Sequence, residues 1–148
     1  MKRIALAIAV LLAFAPQAAA RDYVKLVDPW VEADIARYFF FQSASNPFSF
    51  VKLRPDTSTN AAWGTGYRRN EDQVKGFSHV HEWQMSGIQV MPTTGEVPKT
   101  DGDTGWQSHV NHDVGEVAEP GYHRLRLDRY AIDAELTATD RVGLHRYR

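Results

Sequence analysis

Three segments near the C-terminus alternate apolar and polar residues, and nothing else in the chain restricts its fold so tightly. HRLRLD does so over 123–128. AIDAELTAT (131–139) sets Ile132, Ala134, Leu136 and Ala138 on one side, and RVGLHRY (141–147) repeats the habit. Successive side chains of a strand point to opposite faces, so a period of two predicts half-buried strands. The short links at Asp128–Tyr130 and Thr139-Asp140 suit hairpins. Together they predict an antiparallel meander with one wet face. Further strand-like runs are FSFVKL (48–53), ahead of a turn-forming Arg54-Pro55-Asp56, then 74–81, and IQVM (88–91) running into Pro92. Thr93 to Gly105 reads as a turn-rich loop, and helix is confined to a turn or two near Glu32 to Phe41. The expected fold class is all-β, an antiparallel β-sandwich ahead of a barrel.

The first residues belong to a different category. Lys2 and Arg3 precede an apolar run from Ile4 to Phe14, and Ala18-Ala19-Ala20 close the segment. That is the pattern of a secretory signal, with cleavage expected after Ala20. The run is far short of the ~20 residues a spanning helix needs. The expected product is an exported domain of residues 21–148, periplasmic or secreted, with no membrane attachment. Cysteine is absent, which excludes thiol catalysis and leaves core burial to hold the fold. Seventeen basic and eighteen acidic residues, in no long run of one sign, give no indication of a nucleic-acid partner.

Several residues could carry chemistry. In GFSHVHEWQMSG (76–87), a continuous strand would place His79 and His81 side by side. Such a pair could bind a metal, with His109, His112 or Asp113 as third ligand. Equally, the two could be hydrogen-bonding residues of a pocket wall, or structural histidines. Asp101-Gly102-Asp103-Thr104-Gly105 resembles part of a calcium loop but lacks its remaining ligands, so a surface turn is the simpler reading. Ser78 beside His79 would face the opposite way and lacks a nucleophile-elbow pattern. Glu116 and Glu119 could pair for acid–base work, although loop glutamates are commonly just solvated. Trp63, between Ala62 and Gly64 in AAWGTGY, suits stacking on a sugar or ordinary packing.

Seven motifs occur together: VDPW (27–30), LRPDT (53–57), WGTGY (63–67), GFSHVH (76–81), MPTTG (91–95), EVAEPGY (116–122) and ELTATDRVGLHRY (135–147). In this order and spacing the chain resembles glycoside hydrolase family 92 from Val27 to Arg148. The resemblance implies an exported, calcium-dependent, inverting exo-α-mannosidase acting on a terminal α-mannoside. It implies an N-terminal supersandwich-like β-domain, here incomplete, whose partner is a C-terminal helical barrel. That barrel would carry the general acid and base and most calcium ligands, so no catalytic or metal residue is assigned in this chain, which alone would be inactive. Trp63 matches the family's pocket-side tryptophan, and His79 and His81 match the histidines of its GFSHTH stretch. The chain departs from the family after VDP and after His81, where EWQMSG replaces LSG. Glu82 falls in that departure and joins Trp63, His79 and His81 as an expected substrate-binding residue. The departures leave the exact glycoside open. The rival readings are a non-catalytic carbohydrate-binding sandwich and a cupin-like metalloenzyme built on the HxH pair.

Overall fold

The computed structural model describes residues 21–31, 33–34, 44–57, 66–81, 85–86, 88–96 and 105–148. The leader, Trp63, Glu82, residues 101–104 and most of the expected helical turn lie outside the described residues. Ten strands occur within them: β1 Arg54–Asp56, β2 Gln73–Val74, β3 Gly76–Ser78, β4 Val80–His81, β5 Met85–Ser86, β6 Ser108–His109, β7 Val117–Glu119, β8 Tyr122–Leu127, β9 Ile132–Ala138 and β10 Gly143–Tyr147. Every pairing among them is antiparallel, and the only helical pieces described are two 3₁₀ turns, so the fold is all-β as expected.

The expected meander is present as β8, β9 and β10, with β7 added at its far edge in the order β10-β9-β8-β7. Its inner face carries His123, Leu125 and Leu127 from β8 and Ile132, Ala134, Leu136 and Ala138 from β9, all buried. The outer face carries Arg126, Asp133, Thr137, Leu144 and Arg146. The hairpin from β8 to β9 turns through a 3₁₀ segment, and Ala131 closes it in the left-handed region at φ 53°. The next turn is fastened by Thr139, whose Oγ accepts from the Arg141 and Val142 amides.

The second layer consists of short pairs, β1 with β3, β2 with β6, and β4 with β5. Leu53, Val74, Phe77 and Val110 enter the same core cluster as the inner face of the meander. Two layers around one core make the sandwich.

Two expectations need correction here. Arg54-Pro55-Asp56 is a buried strand, and 48–53 before it forms no strand, with Phe48 in a turn at φ 62°. The cause lies across the sheet. Phe77, opposite Pro55, spends both backbone groups on Val90, at 2.8 and 2.9 Å. Pro55 therefore occupies a non-hydrogen-bonded pair on an edge strand, where its missing N–H costs nothing. The run 74–81 is likewise not one strand. It breaks at Lys75 and bends at His79, so β3 and β4 join different partners.

Candidate functional site

The site is built around Glu116, just before β7. Its side chain is fully enclosed and takes three donors. The Tyr67 hydroxyl donates to Oε1 at 2.7 Å, and His123 Nε2 reaches the same oxygen at 2.8 Å. His112 Nδ1 donates to Oε2 at 2.7 Å, while its Nε2 lies 2.9 Å from the Glu71 carbonyl. Both partners of His112 are acceptors, so this ring must hold two protons. Burial alone would lower its pKa, but the bonds to Glu116 and Glu71 outweigh that and raise it. Burial would raise Glu116; the bonds from His112, His123 and Tyr67 more than reverse this and hold it near 2. Burial, and next the charge of Glu116, drive the Tyr67 phenol far above its ordinary range.

Each member comes from a different part of the chain. Tyr67 follows Gly66, whose φ of 118° a side chain would strain, and whose missing Cβ leaves room for the buried guanidinium of Arg54. Burial lowers Arg54 to about 10, with Asp56 opposing the shift. His123 lies on the inner face of β8, where Tyr67 and Trp30 meet its ring edge-on at 5.4 and 6.2 Å. Trp30 is set by the VDPW turn, in which Asp28 Oδ1 accepts the Trp30 amide at 2.8 Å. Arg69 lies 4.5 Å from the centre of that indole. Beside this network opens a cleft of about 400 Å³, lined in part by Asp34, Arg69, Asp72, His109, Asn111 and Asp113. Glu116 itself is wholly committed to its neighbours, so it acts as an anchor joining residues 66–72, 112–116 and β8.

The expected site residues are distributed differently. Trp63 and Glu82 lie outside the described residues, and His81 is placed only as backbone in β4. His79 is exposed at the bend, and its Nε2 meets Nε2 of His145, on β10, at 2.5 Å. His145 in turn bonds through Nδ1 to the Tyr147 hydroxyl at 2.6 Å. Burial, and then the neighbouring His79, hold His145 down at about 4. The suggested third ligands are engaged elsewhere: His109 with Asp128 and Asp72, His112 with Glu116, and Asp113 with Arg69. Ser78 is buried and bonds Asp56 at 2.5 Å. Glu116 and Glu119 do not form an acid–base pair, since Glu119 is exposed on β7 while Glu116 is enclosed.

Among the described residues no group of three or more histidines and carboxylates could hold a metal ion. Asp72 and Asp113 already face His109 and Arg69, so these residues do not by themselves fit an oxygen cage for calcium. Neither the Glu116 network nor the His79–His145 contact is foreseen by the reading of the chain. The signal that could have found the first is the crowding of His112, Glu116 and His123 around the EVAEPGY motif.

The model of the glycosyl hydrolase family 92 N-terminal domain matches residues 26–148. The fold is similar to that of the family 92 α-mannosidase BT3965 from Bacteroides thetaiotaomicron, with a TM-score of 0.70 and 28% identity over 86% of this chain. The same enzyme in complex with mannoimidazole gives equal values. The chain spans 18% of the length of these solved relatives. No curated protein matches it.

Proposed function

The chain belongs to glycosyl hydrolase family 92, as its N-terminal domain, and from that premise we propose that it forms one wall of the sugar pocket in an exported α-mannosidase. The observation that supports this most is the shared fold with an α-mannosidase solved in complex with mannoimidazole. In the proposed reaction one carboxylic acid protonates the leaving oxygen of a terminal α-mannoside while a carboxylate activates water, inverting the anomeric centre. Both groups, and most ligands of the calcium ion, belong in this reading to a helical-barrel domain outside residues 21–148. Residues 1–20 direct export.

The part played by this chain is positioning. Trp63, His79, His81 and Glu82 face the sugar in this reading, as aromatic platform and hydroxyl partners. Tyr67, four residues beyond Trp63 in the chain, is held in place by its buried bond to Glu116. At His79, Nε2 is tied to His145, which leaves Nδ1 as the atom to meet a hydroxyl.

The test is hydrolysis of an aryl α-mannoside with calcium present. The isolated chain should stay at the blank rate; turnover by the chain alone would overturn the division of labour. Fused to the barrel of a family relative, the chain should support hydrolysis, with Trp63→Ala reducing kcat/KM at least tenfold. An unaffected Trp63→Ala enzyme would remove this wall from the pocket.

A further inference from the structure

His145 and Tyr147 stand two residues apart on β10, so their side chains leave the strand on the same side. The Tyr147 hydroxyl lies 2.6 Å from His145 Nδ1, and His145 Nε2 lies 2.5 Å from His79 Nε2, at the bend after β3. Three side chains thus form one hydrogen-bonded row that begins partly buried against the core and ends at an exposed ring. The row is held from several sides. Phe77, in the core, meets the rings of His145 and Tyr147 at 6.1 and 6.0 Å. The His79 carbonyl accepts the Lys52 amide at 2.7 Å. Gly143 leaves open the space a side chain would fill, since a Cβ there would lie 3.0 Å from His79 Nε2.

The direction of the row follows from its hydrogens. Burial pushes the Tyr147 phenol up to about 12, so it keeps its proton. Burial, and next His79, hold His145 at about 4, so that ring carries a single hydrogen. Were this hydrogen on Nδ1, the Tyr147 oxygen would have to accept it and turn its own hydrogen elsewhere. Among the described residues Tyr147 has no other polar partner. The phenol therefore donates to Nδ1. His145 then keeps its hydrogen on Nε2 and donates it to His79 Nε2, and a neutral His79 carries its own hydrogen on Nδ1. We propose that Tyr147 and His145 are positioning residues that fix the tautomer of His79, so that its Nδ1–H is presented as a donor to an oxygen of the bound glycoside. The inference rests on the reading that His79 faces the sugar. A donor at this point selects a ligand group with a free lone pair, a hydroxyl or ether oxygen, and rejects an ammonium, which has none.

Long-range ¹H–¹⁵N NMR of the full chain, at a mildly alkaline pH where imidazoles are neutral, reads each tautomer directly. His79 is expected with its hydrogen on Nδ1 and His145 with its hydrogen on Nε2. The opposite arrangement in either ring would overturn the proposal. Tyr147→Phe removes the hydroxyl and little else, so the amide spectrum should report an unchanged fold while His79 comes to populate both tautomers. A His79 that keeps Nδ1–H unaltered in Tyr147→Phe would also overturn the proposal, because the row would owe its direction to another group. In the chain fused to the barrel of a family relative, Tyr147→Phe should raise KM about 3–10-fold with kcat held. That is the effect of weakening one hydrogen bond made alike to substrate and transition state. Tautomers as expected, with kinetics untouched by Tyr147→Phe, would instead remove His79 from the sugar and overturn the reading on which the inference rests.

Discussion

Tyr67 and Glu116 are 2.7 Å apart and buried, although 49 residues separate them in the chain. A carboxylate enclosed in this way is tolerable only while its donors remain, because an uncompensated buried charge is costly. Removing Tyr67's hydroxyl leaves Glu116 with His112 and His123. Removing Glu116 takes the acceptor from His112 Nδ1, His123 Nε2 and the Tyr67 hydroxyl. Glu116→Ala is therefore expected to cost about 3–5 kcal/mol of folding stability, and Tyr67→Phe about 1–3 kcal/mol. Urea unfolding of the variants checks the order. Equal effects would show that Tyr67 and Glu116 matter only as volume.

The same network gives stability a pH profile. Glu116 is held near 2 against an ordinary 4.5, so its contribution is present above 4.5 and is lost as pH falls toward 2. His112 is raised above 6.5, so its contribution is full below 6.5 and fades as pH climbs through the raised value. Both shifts describe one contact from its two ends and are not summed. The groups facing the pair are His123 and Tyr67, with Arg69 and Asp34 beyond Tyr67. The contribution of this network should be greatest between about pH 4.5 and 6.5 and fall on both sides. His145, held at about 4, adds a separate loss as pH falls below its ordinary 6.5. In Glu116→Gln the acid slope should flatten; a slope that persists unchanged would place the titrating group elsewhere.

How much of this was legible depended on the range of the interactions involved. β8, β9 and β10 are visible in the chain because alternation is local, and each strand has enough residues to show a period. β1 is hidden because Pro55 ordinarily signals a turn. Only the position of Phe77, whose backbone groups are spent on Val90, makes a proline acceptable there. His79 and His81 look like neighbours on one face as long as the strand runs straight, and the bend at His79 breaks that rule. Glu116 looks solvated beside Gly115 and Glu119; its burial comes from His112, His123 and the distant Tyr67. Pairing across 49 or 66 residues leaves no periodic trace.

The two faces of the large sheet should respond differently to substitution. Leu125 and Leu136 lie about 1% exposed in the core, and truncating either to alanine removes buried hydrocarbon and leaves a cavity. A loss of about 2–5 kcal/mol is expected for each. Arg126, on the outer face, pairs with Asp133 at 3.1 Å with both side chains about half exposed. Arg126→Ala should cost under about 1 kcal/mol, as exposed ion pairs generally do. Thermal unfolding measures both, and a large loss at Arg126 would mean that this face is covered.

Gly66 carries two constraints at once, and they can be separated. Its φ of 118° strains any residue with a side chain, and a Cβ there would collide with the guanidinium of Arg54. Arg54 is itself a buried residue of β1, so it cannot simply swing into water. Gly66→Ala is expected to destabilise the fold by at least about 1–3 kcal/mol from backbone strain alone, with the collision added. Gly143→Ala is the useful comparison, because Gly143 has ordinary strand geometry and its Cβ would meet the exposed ring of His79. That ring can turn aside, so the second substitution should cost less. Urea denaturation of both variants decides the matter: if Gly143→Ala proves the more damaging, the space beside His79 is more rigid than the space beside Arg54.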